Sequence, residues 1–85
     1  MTRADRLLER VLLGTSDADI PFAGIRHLLK ALGFQERIRG SHHIFAKDGI
    51  EEILNLQPRR GRAKSYQVRQ VRHVIIKCKL EGERP

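Results

Sequence analysis

The sequence predicts an α+β domain in which helices cover one face of a three-stranded antiparallel sheet. Three observations lead there. Apolar residues recur at helical spacing in two segments before Gly33, the period changes to two between Phe34 and Leu56, and helical spacing returns after Pro58.

The first helix is expected over residues 4–13, where Leu7, Leu8, Val11 and Leu12 form one apolar stripe and Gly14 ends the segment. After a polar break from Thr15 to Asp19, a second helix runs from about Pro21 to Leu32. Proline suits a first helical turn because its missing N–H would have no partner there. Phe22, Ile25, Leu28, Leu29 and Leu32 keep the spacing, with Arg26 and Lys30 opposite, and Gly33 stops it.

From Phe34 onward, Phe34, Glu36 and Ile38 alternate with Gln35, Arg37 and Arg39, although Glu36 interrupts the apolar set. Gly40-Ser41 turns the chain into a second strand, His42 to Lys47. Lys47-Asp48-Gly49 signals a hairpin, and Glu52 to Leu56 reads as the third strand, closed by Pro58. Arg59 to Ala63 is a basic loop. Ser65 is the expected cap of a last helix, Tyr66 to Leu80, whose core stripe is Val68, Val71, Ile75 and Cys78. Residues 81–85 should fray.

At 85 residues this is one small domain. A chain of this size buries only about 60% of the surface its unfolded form exposes, so a deep, walled substrate pocket is not expected. That disfavours multi-cofactor enzymes, and no cofactor is predicted. Cys78 stands alone, which excludes a disulfide framework or a paired-thiol zinc site. There is no secretion-signal pattern and no run long enough to span a bilayer, so a cytoplasmic protein with no membrane association is expected.

Charge is the strongest compositional signal. The chain carries 17 Lys plus Arg against 10 Asp plus Glu, a net of +7. The excess is one-sided: between Arg59 and Lys79 there are eight basic residues (59, 60, 62, 64, 69, 72, 77 and 79) and no acid. Such a block is the electrostatic footprint of a polyanion, usually nucleic acid, although a solvated helix face gives the same pattern.

Gly33-Phe34 followed by Arg37-Ile38-Arg39-Gly40-Ser41-His42-His43-Ile44-Phe45 resembles the HicA family of toxin–antitoxin ribonucleases, the YcfA-like mRNA interferases. The match runs from about Phe22 to Ile76 and is sharpest from Gly33 to Phe45. It implies an α-β-β-β-α core like a double-stranded-RNA-binding domain over residues 19–80. Residues 1–18 would then be an added N-terminal helical extension of the same single domain, 1–85. It also implies metal-independent cleavage of mRNA and a HicB-like antitoxin partner. Many members carry a histidine just after the proline that follows the third strand; here Arg59 stands in that place.

Metal-free RNA hydrolysis needs a base for the 2′-hydroxyl proton, an acid for the leaving oxygen, and cations to hold the phosphate as its charge grows. Histidine suits proton transfer because its ordinary pKa lies near neutrality. Adjacent histidines on a strand point to opposite faces, so His42 and His43 cannot easily share a metal ion or act as a pair. His42 goes with Ile44 and His43 with Phe45, and the pattern alone leaves open which is buried. The resemblance favours the second histidine, His43, as catalytic, with His42 as the substitute. Arg37, Arg39, Lys47, Arg59, Arg60, Arg62, Lys64, Arg69 and Arg72 are the expected RNA-binding cations.

Other residues attract blander readings. His27 reads as a boundary residue of its helix and His73 as one more polar residue among cations. Tyr66 reads as a buried aromatic at a helix start, although it could stack a base. Two further functions fit the same charge pattern. One is a non-catalytic RNA-binding module, and the other a partner for an acidic protein.

Overall fold

The computed structural model describes residues 2–80; the fraying expected at 81–85 lies outside them. The order is α1 (Arg3–Leu13), a 3₁₀ turn (Asp17–Asp19), α2 (Phe22–Ala31), β1 (Gln35–Arg39), β2 (His42–Ala46), β3 (Leu54–Leu56) and α3 (Ser65–Lys77). The expected fold class is therefore present: three helices and one three-stranded antiparallel sheet, in the order β1-β2-β3.

The apolar stripes explain the packing. Leu7, Leu8 and Val11 of α1, Ile25, Leu28 and Leu29 of α2, and Val68, Val71 and Ile75 of α3 are buried together with Phe45, Leu54 and Leu56 of the sheet. α1 is thus an integral part of the one core and not an appendage to it. It opens with a cap in which the Thr2 hydroxyl accepts the Asp5 N–H at 3.1 Å. A second anchor is ionic: Arg72 of α3 forks onto Asp17 at 2.9 and 3.1 Å and donates to the Val11 carbonyl at 3.1 Å.

Register decides the two sheet faces. Glu36 lies opposite Phe45, Ile38 opposite His43, and His43 opposite Leu56. Glu36, Ile38, His43, Phe45, Leu54 and Leu56 therefore share the helix-covered face, and Gln35, Arg37, Arg39, His42, Ile44 and Asn55 share the outer one. Fully buried Phe45 settles which histidine points inward. The β1–β2 turn pairs Arg39 with His42 around Gly40, whose φ is +59°, while Ser41 is not left-handed. Glycine at the first loop position with positive φ is the arrangement of a II′ hairpin turn.

Three boundaries and one burial differ from expectation. β3 begins at Leu54, not Glu52, because the turn closed by the Ile50 N–H on the Lys47 carbonyl (3.1 Å) leads into an irregular stretch with Ile53 exposed. Lys64, not Ser65, is the N-cap of α3; its carbonyl accepts the Gln67 and Val68 N–H groups at 2.9 and 3.1 Å. α3 ends at Lys77, and a left-handed Lys79 (φ +55°) turns Leu80 back into the core. Tyr66 is 55% exposed rather than buried, since Val68 and Val71 define the inward face and Tyr66 falls outside it.

Candidate active site and basic surface

The interruption at Glu36 is the centre of the site. Its carboxylate lies on the covered face and is only 4% exposed. An unpaired charge there would be costly, and three partners compensate it. Arg26 of α2 donates from Nε to Oε2 at 2.7 Å and from Nη2 to Oε1 at 3.0 Å, a bidentate fork. Lys30, one turn further along α2, reaches Oε1 at 3.0 Å. The third partner is His43, whose Nδ1 lies 2.7 Å from Oε2. The Arg26 fork, ahead of the His43 and Lys30 contacts, holds the Glu36 carboxyl at about 2 against the opposing effect of burial.

This fixes the tautomer of His43. A carboxylate with so low a pKa can only accept, so Nδ1 carries the hydrogen and donates. In the neutral ring the lone pair then resides on Nε2, which has no protein partner among the described residues. The ring also meets Phe22 edge-on, with centroids 4.8 Å apart and planes at 70°. The His43 side chain remains 13% exposed, so it reaches the surface at a rim. A histidine oriented by a carboxylate through one nitrogen, with the other available, is the arrangement that general acid–base chemistry uses.

His42 has a different setting. On the outer face it donates from Nδ1 to Asn55 Oδ1 at 3.1 Å, and it is exposed beside its cross-strand neighbour Arg39. The two histidines thus lie on opposite sides of the sheet. Among the described residues no group of three His, Cys, Asp or Glu is placed to hold a metal ion.

The expected cations divide into groups. Arg37 and Arg39 are exposed on the outer face with His42. Arg59, Arg60, Arg62 and Lys64 line one cleft of about 400 Å³ before α3. Arg62 there also pairs with Asp19 at 2.6 Å. Arg69 is exposed on α3. Lys47 lies at the far end of β2 and donates to the Leu32 carbonyl at 2.6 Å, closing the end of α2. Arg72 is committed to Asp17 and Val11, which gives it a structural task and removes it from the accessible surface charge. A larger cleft of about 560 Å³ sets Asp48, Glu51 and Glu52 against Lys47 and Lys77, so it lacks the cationic excess of the smaller one.

Glu36, Arg26, Lys30 and Phe22 were not among the site residues expected from sequence. The available signals were a carboxylate at an inward position of an alternating strand and two cations four residues apart on the preceding helix. Cys78 is half-buried against the core edge with Sγ 3.7 Å from Glu52, and burial raises its thiol pKa, which suits packing rather than nucleophilic attack. No family model, curated protein or solved structure matches this chain. No described helix is long and apolar enough to cross a membrane.

Proposed function

We propose that this chain is a toxin-type endoribonuclease of the HicA kind that cleaves mRNA without a metal. His43 is its proton-transfer group and Glu36 the carboxylate that orients it. The observation that carries the proposal is the 2.7 Å contact between Glu36 Oε2 and His43 Nδ1, which leaves Nε2 as the basic nitrogen. The double-stranded-RNA-binding-domain-like core, the cytoplasmic setting and neutralisation by a HicB-like antitoxin belong to the same proposal and rest on the resemblance from Gly33 to Phe45.

In the proposed reaction Nε2 takes the proton of a ribose 2′-hydroxyl, and the 2′-oxygen attacks the adjacent phosphorus. The P–O5′ bond breaks, and the leaving 5′-oxygen is protonated by solvent at the open rim. The products are a 2′,3′-cyclic phosphate and a 5′-hydroxyl. The outer part of the Arg26 guanidinium, whose side chain is 35% exposed, would face the developing phosphorane charge. Arg26 and His43 converge on one Glu36 oxygen, so the cation and the base are held as a unit.

The test is incubation of the purified protein with a mixed-sequence RNA in excess chelator. Cleavage yielding cyclic-phosphate and 5′-hydroxyl ends supports the proposal; cleavage that stops on chelation, or yields 5′-phosphate ends, overturns it.

One observation favours a second possibility, a module that binds RNA without cutting it. Arg37, Arg39 and His42 share an exposed outer face and could hold a backbone without using His43. Salt-dependent binding with intact RNA after long incubation would favour that function.

A further inference from the structure

The segment after β3 is a folded element rather than a plain basic loop. The Arg59 N–H donates to the Arg62 carbonyl at 2.9 Å, and the Arg62 N–H returns to the Arg59 carbonyl at 3.0 Å. Arg60 (φ +52°) and Gly61 (φ +77°) are both left-handed, which makes this a miniature hairpin with a type I′ turn. Glycine takes that conformation freely; arginine does so only when its surroundings hold it there.

Those surroundings are visible. The Phe22 N–H donates to the Gly61 carbonyl at 3.0 Å, and the Ala63 N–H donates to the Ile20 carbonyl at 2.9 Å. Pro21 pairs with Arg62 across an isolated bridge. The hairpin is therefore stitched to the start of α2, and it forms one wall of the 400 Å³ cleft. Arg59, Arg60, Arg62 and Lys64 bring four cations to that cleft, with the Ser65 hydroxyl beside them and no acid in its lining. Asp19 offsets Arg62 from outside, so three charges have no acidic partner among the described residues.

We propose that this cleft is a phosphate-binding subsite that anchors the RNA strand beside His43. The inference rests on the ribonuclease reading and adds to it where the substrate is held. Guanidinium forks match phosphate oxygens in pairs, and a pre-formed hairpin loses little freedom when it takes one. The placement also serves catalysis. The residue whose N–H meets Gly61 is Phe22, the same residue whose ring lies 4.8 Å from that of His43. The hairpin that walls the cleft and the His43 ring are thus joined through one residue, Phe22.

The probe is a short 2′-O-methyl oligoribonucleotide, which cannot be cleaved by 2′-oxygen attack, titrated by fluorescence anisotropy over a range of salt. Arg59→Gln with Arg60→Asn keeps a residue that tolerates the left-handed turn and removes two charges. This double variant should bind at least about tenfold more weakly, and the slope of log affinity against log salt should flatten by about 1. Arg3→Gln, on the exposed side of α1, should bind within about twofold of wild type, the order expected for one remote surface charge.

Comparing 5′-phosphorylated with 5′-hydroxyl probes identifies the source of the phosphate. A preference for the phosphorylated end that the double variant loses assigns the cleft to a terminal phosphate. Equal affinities, both weakened in the variant, assign it to an internal phosphodiester. A folded double variant with wild-type affinity and slope overturns the proposal. Because the probe is not cleaved, that outcome leaves the cleavage assignment untouched, and an inert wild type would leave the subsite standing.

Discussion

Glu36 on β1 and His43 on β2 meet at 2.7 Å on the helix-covered face, two residues off direct opposition in the strand register. Diagonal neighbours of this kind are within reach of long side chains, and here they join the sheet's one inward acid to its one inward histidine. Glu36→Gln preserves shape but removes the charge that orients the ring and balances Arg26 and Lys30. Cleavage should fall at least about tenfold, in line with loss of an orienting carboxylate. Affinity for an uncleavable RNA should change by less than about threefold, because the buried Glu36 carboxylate is not one of the cations that line the basic cleft. Turnover and binding measured on the same folded variant check this split.

The same carboxylate makes stability depend on acid. Glu36 titrates at about 2 in the fold, below its ordinary 4.5, so its contribution is present above pH 4.5 and is lost as the pH falls towards 2. Through linkage the loss is about 2–3 kcal/mol, tempered by the partial exposure of Arg26. Urea unfolding between pH 5 and pH 2 should show wild type losing that much more stability than Glu36→Gln across the interval.

Arg72 separates structural from binding cations. Its guanidinium satisfies Asp17 and the Val11 carbonyl, so Arg72→Ala leaves both without their partner. The expected cost is about 1–3 kcal/mol in chemical unfolding, while the salt dependence of RNA binding should not change. A flattened salt slope with unaltered stability would return Arg72 to the binding surface.

The N-terminal helix yields a prediction of its own. Leu8 is fully buried in the common core, so Leu8→Ala should cost about 2–5 kcal/mol and destabilise the whole domain in a single transition. A separate early transition confined to α1 would show that the helix is an appendage.

Much of this architecture is legible from periodicity. The stripes Leu7-Leu8-Val11 and Val68-Val71-Ile75 locate two helices, and the alternation around Phe45 with the turn at Gly40-Ser41 locates the first hairpin. Local pattern does not carry the partners of charged groups. Arg26 and Lys30 read as the solvent side of a helix, yet they bend over the sheet to meet Glu36 because an inward carboxylate must be compensated. Arg72 reads as one more cation in an acid-free run, and Asp17, 55 residues earlier, claims it. The choice between His42 and His43 likewise depends on which of Ile44 and Phe45 is buried. Only packing decides that.

The most direct test of the central claim compares His43→Ala with His42→Ala on one RNA in chelator. His43→Ala should lose cleavage by at least about a hundredfold, the scale of general acid–base catalysis. His42→Ala, altered on the opposite face, should keep its turnover at saturating RNA. Undiminished cleavage by a folded His43→Ala variant, or loss confined to His42→Ala, would contradict that claim.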